Sequence, residues 1–320
     1  MFAISGTDTL AWTKQADLHP APGQIRIRVA AAGLNRADLI QRAGHYPPPP
    51  GASPILGLEC AGVVDALGAG VSRWRIGDRV CALLSGGGYA EQVVCPAEHV
   101  LPVPDTMTMP QAAALPEVLA TAWLNLVREA GLKPGASVLL HAGASGVGTA
   151  AIQIARLQGA RSFVTAGSAD KIARCVALGA SAGHCRHDGD FVAAVLAWAP
   201  DGVDVILDPV GASYLPDNQR VLGMDGRLVL IGLLGGRMGQ VDLGRMLIKR
   251  QRLIGSTLRA RSDADKADII AGLAAEVWPA VIAGEVVPVI ETTMPVAEAG
   301  EAHRLLSSNS TTGKVILTMD

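Results

Sequence analysis

Residues 141–150 read "HAGASGVGTA", and the fold assignment turns on this decapeptide. Gly143, Gly146 and Gly148 fall at the spacing of a dinucleotide-binding turn, with Ser145 where the second glycine of G-x-G-x-x-G would stand. The context fits: the apolar run Val138, Leu139, Leu140 precedes the turn, and Ala150, Ile154 and Leu157 follow at helical spacing. A helix beginning near Gly146 offers the N–H groups of Gly146 and Val147, and the positive end of its dipole, to a phosphate. Gly148 lets helix and strand approach closely, and the Ser145 hydroxyl adds a donor for the same phosphate. The plain alternative is a tight βα turn with no ligand.

About twenty residues on, a carboxylate would grip the ribose 2′-hydroxyl of NAD. The strand "SFVTAG" ends instead in Gly167 and Ser168, followed by Lys171 and Arg174. With no acid to repel a 2′-phosphate, and a charge-assisted contact worth about 1.5–3 kcal/mol, the expected cofactor is NADPH. Taken alone, Lys171 and Arg174 also suit a solvated helix face.

Around the turn the sequence has two textures. Residues 24–32, "QIRIRVAAA", alternate Ile25, Ile27 and Val29 with Arg26 and Arg28, the period of a half-buried strand. "CAGVVDAL", "DRVCALL" and "YAEQVVCP" follow at strand-and-turn spacing, so the first third is expected to be an antiparallel β-barrel. After about residue 120, "SVLLHAG", "SFVTAG", "VDVILDPVG", "GRLVLIG" and "RLIGST" alternate with helical segments such as 146–158 and 168–178. That is the βαβ signature of a doubly wound parallel sheet. A helix over 264–282, a short strand near Val287, a helix over 296–306 and the closing run "KVILTM" complete the chain. The expected organisation is α/β, with 1–119 and 263–320 forming one domain and 120–262 the nucleotide-binding one. The proline run Pro47 to Pro50 makes a stiff loop, either a turn or a rigid wall.

Composition narrows the function. The chain has 320 residues, 49% of them hydrophobic, and a net charge of -2 with no block of like charges, so nothing recruits nucleic acid or anionic lipid. A small neutral or modestly anionic ligand is expected. Cys60, Cys81, Cys95, Cys175 and Cys185 are scattered without a C-x-x-C pair, which argues for reduced thiols rather than disulfides or a zinc ribbon. The N-terminal stretch has no basic start followed by an apolar run, and no window is apolar over the roughly 18 residues that a membrane helix needs. A cytoplasmic location is expected.

Together with the nucleotide turn, the stretches "LNRADLIQRAGHYPPPPGASPILGLECAG" (34–62), "GGGYAEQV" (86–93), "QAAALPEVLATAW" (111–123), "TAGS" (165–168) and "GKVIL" (313–317) run in family order over nearly the whole chain. The sequence resembles the zinc-independent quinone oxidoreductases of the medium-chain dehydrogenase/reductase superfamily, most closely the p53-inducible branch. The resemblance implies a GroES-like β-barrel catalytic domain, an inserted Rossmann domain, a cofactor in the cleft between them, and a homodimer formed through the Rossmann sheet edge near "RLIGSTLR". It places Asn35 and Tyr46 beside nicotinamide and substrate, Thr121 on the nicotinamide side, and Gly232, Leu233, Leu234, Gly235 and Leu258 along the ring. Ser168, Lys171 and Arg186 would form the 2′-phosphate pocket.

No metal is expected. Where zinc-dependent relatives place cysteine or histidine ligands, the resemblance puts Asn35, Leu58 and Glu117 here, which cannot make a soft N/S site. The seven histidines show no ligand spacing. Without a Lewis acid the suited acceptor is one already electrophilic, so the implied reaction is hydride transfer from NADPH to a quinone, with the protein binding, orienting and excluding water. Asn35 would orient the nicotinamide or acceptor oxygen, and Tyr46 would hydrogen-bond the developing oxyanion or donate the proton; otherwise Tyr46 is a loop tyrosine packed on the proline run. Glu59 reads as a hydrogen-bonded structural carboxylate. An NADPH-dependent enoyl-thioester or 2-alkenal reductase is the alternative enzyme, and a nucleotide-binding structural protein the alternative of another class.

Overall fold

The structure, a computed structural model, describes residues 1–6 and 9–319. It divides into two compact units, Met1–Ala120 with Leu258–Asp320, and Thr121–Thr257. The return crossing falls after Thr257, so Leu258 and Arg259 belong to the first unit.

The first unit opens with a separate two-stranded sheet, β1 (Phe2–Ser5) and β2 (Ala11–Lys14), which no alternation in the sequence announces. Then come β3 (Gln24–Gly33), α1 (Arg36–Arg42), β4 (Glu59–Leu67), β5 (Arg79–Leu83), β6 (Gln92–Pro96), β7 (Val100–Pro102), α2 (Met109–Ala113) and α3 (Pro116–Trp123). β3 is the spine of the sheet. Its first half pairs with β6 and nearly its whole length with β4, both antiparallel. As the period-two pattern requires, Ile25, Ile27 and Val29 are buried, while Arg26 turns out to meet Asp65 at 2.8 Å. Val64, Val80, Val93 and Val100 complete this core from the neighbouring strands.

The second unit is the expected parallel sheet. Its elements are β8 (Ser137–Leu140), α4 (Gly146–Leu157), β9 (Arg161–Ala166), α5 (Ala169–Ala177), β10 (Ala182–Cys185), α6 (Val192–Trp198), β11 (Val203–Asp208), α7 (Leu215–Val221), β12 (Leu222–Leu230), α8 (Leu243–Lys249) and β13 (Arg252–Gly255). All pairs are parallel, in the order β10-β9-β8-β11-β12-β13. Chain order reverses at β8, with β9 on one side and β11 on the other. Such a switch point opens a crevice at the carboxyl ends of the strands, where open α/β sheets take their ligands.

The tail supplies α9 (Asp263–Glu276), α10 (Trp278–Ile282), β14 (Ile290–Pro295), α11 (Ala299–Ser307) and β15 (Lys314–Thr318). β15 adds antiparallel to the second half of β3, and β14 runs parallel to β15. Two sequence expectations are corrected. The single helix over 264–282 breaks at Val277, because Pro279 in the first turn of α10 has no N–H to continue the α9 ladder. The strand expected near Val287 starts only at Ile290, since Pro288 next to it cannot donate to a ladder.

The β3–β4 contact is close enough to demand glycine. A Cβ on Gly62 would press on the Arg28 carbonyl and on Ile27, whereas one on Gly300, in the first turn of α11, would meet nothing. Gly62→Ala is expected to destabilise the protein by about 1–3 kcal/mol, and Gly300→Ala to stabilise it by about 0.5–1 kcal/mol. Urea denaturation of the two variants distinguishes these opposite signs; equal midpoints would refute the close approach.

Candidate active site

In the second unit the decapeptide forms the turn from β8 into α4. Ser145 is the helix cap: its Oγ accepts the Gly148 N–H at 3.1 Å, which leaves its own proton and the N–H groups of Gly146 and Val147 directed away from the helix. A Cβ on Gly148 would lie 2.5 Å from the carbonyl oxygens of Ala142 and Gly143, and one on Gly143 2.6 Å from Val164. Ala142 itself is held left-handed at φ 52°, a conformation that costs an L-residue about 1–2 kcal/mol. These glycines and the strained alanine make a bare backbone cradle at a helix N-terminus, which fits a pyrophosphate.

A buried polar network holds the cradle in place. His141, boxed edge-on by Phe191 and Tyr214, bonds Thr165 Oγ1 at 2.9 Å and Asn218 Oδ1 at 2.7 Å. Asn218 donates to Asp208 Oδ2 at 2.9 Å, and Asp208 accepts the N–H groups of Val210 and Gly211. Burial pushes His141 down to about 4, so it stays neutral. The ends of β8, β9 and β11 are thereby tied to α7.

The other residues that the sequence expects around the cofactor lie at four places. Gly143 N–H donates to Thr165 O at 2.9 Å, bringing the end of β9 beside the cradle. There Ser168 caps α5 by accepting the Lys171 N–H, and the Arg186 guanidinium lies 3.7–3.8 Å from the Cβ position of Gly167. No acid ends β9; Asp170, in the first turn of α5, is exposed. Gly232, Leu233 and Leu234 follow β12, where Leu234 N–H donates to Pro209 O and Gly235 N–H to Val210 O. Half-buried Thr121 has its carbonyl taken by Asn125 Nδ2 at 2.7 Å. Leu258 is buried and belongs to the first unit.

In the first unit Asn35 begins α1, and its side chain is turned to a buried ion pair. Lys314 Nζ lies 2.6 Å from Glu59 Oε1 and 2.7 Å from Asn35 Oδ1, and also donates to Leu34 O. Asn35 Nδ2 donates to Glu59 Oε1 at 3.0 Å, and the Glu117 N–H, at the head of α3, to Glu59 Oε2 at 2.9 Å. Glu59 and Lys314 are both buried. Beneath them Asp38 accepts from Asn35 N–H, Gly57 N–H and the Tyr89 hydroxyl, and burial raises it to about 6. Half-buried Tyr46 lies under the Arg259 guanidinium, 5.2 Å from its ring centre, and Arg259 also donates to the carbonyls of Tyr46 and Ser85. Burial raises the Tyr46 hydroxyl, with Glu117 adding to the shift and Arg259 opposing it.

Residues 21–105 match the alcohol dehydrogenase GroES-like domain, and residues 146–271 the zinc-binding dehydrogenase domain. The human synaptic vesicle membrane protein VAT-1 homolog is 32% identical over 93% of this chain and 79% of its own. The chain belongs to the medium-chain dehydrogenase/reductase superfamily. Among solved structures, the Escherichia coli quinone oxidoreductase complexed with NADPH is 27% identical with a TM-score of 0.88, covering 99% of this chain and 100% of that one. The CurK enoyl reductase is 30% identical with a TM-score of 0.87, covering 100% and 98%. No helix among the described residues is long and apolar enough to cross a membrane.

The zinc named in one of those domains does not fit these residues. Among the described residues no three His, Cys, Asp or Glu side chains are grouped to hold a metal. Leu58 is buried hydrocarbon, and an ammonium stands bonded to both Asn35 and Glu59. Lys314, Arg259 and Asp38 carry as much of the site as the two residues the sequence singles out. Their only advance signal is a cation opening the otherwise apolar closing strand. Lys314→Met, which strands Glu59 as a buried charge, is expected to cost about 3–5 kcal/mol, and adding Glu59→Gln to recover part of it. Strictly additive losses in thermal melts would show that the two do not act as a pair.

Proposed function

We propose that this chain is a zinc-independent NADPH:quinone oxidoreductase. The observation that carries the proposal is the Lys314–Glu59–Asn35 cluster: its cation is an ammonium with its protons committed, so the site suits an acceptor that is electrophilic before it binds. The likeness to the NADPH-complexed quinone oxidoreductase supports both cofactor and acceptor. Bound NADPH supplies the hydride. The residues assigned to it are Gly143, Ser145, Gly146, Val147 and Gly148 for the pyrophosphate, Gly167, Ser168, Lys171 and Arg186 for the 2′-phosphate, and Asn35, Thr121, Gly232, Leu233, Leu234 and Leu258 for the nicotinamide end.

Asn35 is held by its bonds to Glu59 and Lys314 and by a longer bond, 3.4 Å, from Nδ2 to Gly33 O, so a carboxamide or acceptor oxygen that it orients takes the place of that longest bond. Tyr46 takes the acceptor oxygen through its hydroxyl, which burial keeps protonated. A second reading, reduction of enoyl thioesters or 2-alkenals, is favoured by the likeness to the CurK enoyl reductase. NADPH and NADH consumption against ortho- and para-quinones and 2-enals tests both. The expected result is quinone turnover with NADPH preferred by about one to two decades, the worth of a charge-assisted contact to the 2′-phosphate. Tyr46→Phe should slow enals more than quinones. Preference for NADH, or no turnover of any quinone, would sink the proposal.

We also propose a cytoplasmic homodimer. The cysteines are all free, as a reducing compartment implies. The parallel sheet ends at β13, an open edge, and Leu243, Leu247 and Ile248 of α8 are 71–78% exposed, beside Met238 at 86%. Such a patch marks an interaction surface. Light scattering should give twice the chain mass for the wild type and the single chain mass for Leu247→Glu; a monomeric wild type would overturn this assignment.

A further inference from the structure

Among the described residues, Glu117 is the acidic side chain of the cluster whose carboxyl meets no hydrogen-bond donor. Its backbone N–H, not its carboxyl, makes the bond to Glu59, and that bond fixes the head of α3 over the ion pair. Glu117 is half-buried as a residue, whereas Asp38 and Glu59 are fully buried. The groups acting on it are Glu59 from β4, Asp38 from α1, Lys314 from β15 and Arg259 from the segment before α9. Tyr46 and Lys266 of α9 feel its charge in turn. Burial, then the Glu59 charge, push it up to about 8 against the opposing pull of Lys314, so it holds a proton at neutral pH.

Arg259, whose charge acts on the Glu117 carboxyl, itself holds a donor without an acceptor. Arg259 spends Nε on Ser85 O and Nη1 on Tyr46 O, but Nη2 is buried with no hydrogen-bond partner. An unsatisfied guanidinium N–H in a buried position costs free energy that an incoming oxygen recovers. The Tyr46 ring lies under the same guanidinium, 5.2 Å from it at the ring centre.

We propose that Glu117 is the proton donor of this site, and that Arg259 Nη2 and the Tyr46 hydroxyl hold the acceptor's carbonyl oxygen while the proton is delivered. The assignment rests on the reductase function proposed above. In an enal, the β-carbon accepts a hydride from the reduced nicotinamide, and the C=C electron pair moves through the carbonyl carbon to leave an enolate on the oxygen that Arg259 and Tyr46 hold. The enolate α-carbon then takes the Glu117 proton, and the carboxylate left behind regains one from water. In a quinone the same proton goes to the hydroquinone oxygen. The acceptor gains one hydride and one proton, and the nicotinamide is oxidised by two electrons.

Glu117→Gln tests this with little risk to folding, because glutamine has the shape of the neutral acid and keeps the backbone bond to Glu59. For whichever acceptor the wild type reduces, kcat/KM should fall above about pH 8 in the wild type. In the variant it should be about a hundredfold lower and lack that basic limb. Infrared spectroscopy of the unliganded protein should show a protonated carboxyl at pH 7 that titrates near pH 8 and is missing from the variant. A variant with wild-type rate and pH profile, or no such carboxyl at pH 7, overturns the assignment while leaving the reductase function standing. If the wild type oxidises NADPH with no quinone and no enal, the reductase function falls and this assignment falls with it.

Discussion

The first unit depends on the ion pair between Lys314 and Glu59. Removing an ammonium and a carboxylate from water costs several kcal/mol for each ion, and only close geometry with further hydrogen bonds offsets that. Here Leu34 O and Asn35 Oδ1 accept from the ammonium, while Asn35 Nδ2 and Glu117 N–H donate to the carboxylate. Satisfying the pair therefore requires the start of β15, the start of β4, the entry to α1 and the head of α3 to converge. Residues distant in the chain are thereby held within hydrogen-bonding distance of one another. The position of Asn35 and Glu117 is thus a consequence of solvating a buried charge, not of local helix or strand propensity.

The second unit solves its positioning problem without charge pairs. Its strand ends at the cradle are joined by neutral His141, Asn218 and Thr165, with Asp208 held by the Val210 and Gly211 N–H groups. The groups that this network sets beside the cradle, His141 and Thr165, are neutral, and its one carboxyl is occupied by backbone N–H groups and Asn218. That suits a site built to receive phosphate, because a free carboxylate near the N-terminus of α4 would compete with the ligand for the same N–H donors. The left-handed Ala142 belongs to the same design. Its strain is tolerated because Gly148 packs against its carbonyl, and the packed turn cannot relax without separating α4 from β8.

How much of this was legible in the sequence follows from which interactions are local. Alternation of Ile25, Ile27 and Val29 and the glycine spacing of 143–148 are short-range signals, and they placed β3, the parallel sheet and the cradle within a residue or two. The β1–β2 sheet was invisible because "FAIS" and "AWTK" are too short to show a period. The helix break at Val277 was signalled by Pro279 but masked by the apolar run around it. Asn35 and Tyr46 stood out only through family resemblance. Lys314 and Arg259 did not, because a lysine in "GKVIL" or an arginine in "STLRAR" reads as a solvated surface cation until the fold buries it. Glu117 stands where relatives place a zinc ligand, and the charges of Glu59 and Lys314 that act on it come from β4 and β15.

Charge accounting explains why Glu117 is pushed up further than Asp38. Asp38, Glu59 and Glu117 are crowded together, so each ionisation opposes the next. Glu59 has an ammonium in contact. Asp38 has two backbone N–H groups and a tyrosine hydroxyl, and even so rises only to about 6. Among the described residues Glu117 has neither a contact cation nor a donor to its carboxyl, and it rises further, to about 8. The compensation goes to Glu59 and Asp38, and the half-buried third acid is left titrating at about 8, near neutral pH, where proton transfer in either direction costs least. An ammonium fixed between Asn35 and Glu59 thus does more than replace a metal's charge: by satisfying Glu59 first, it settles which carboxyl remains an acid.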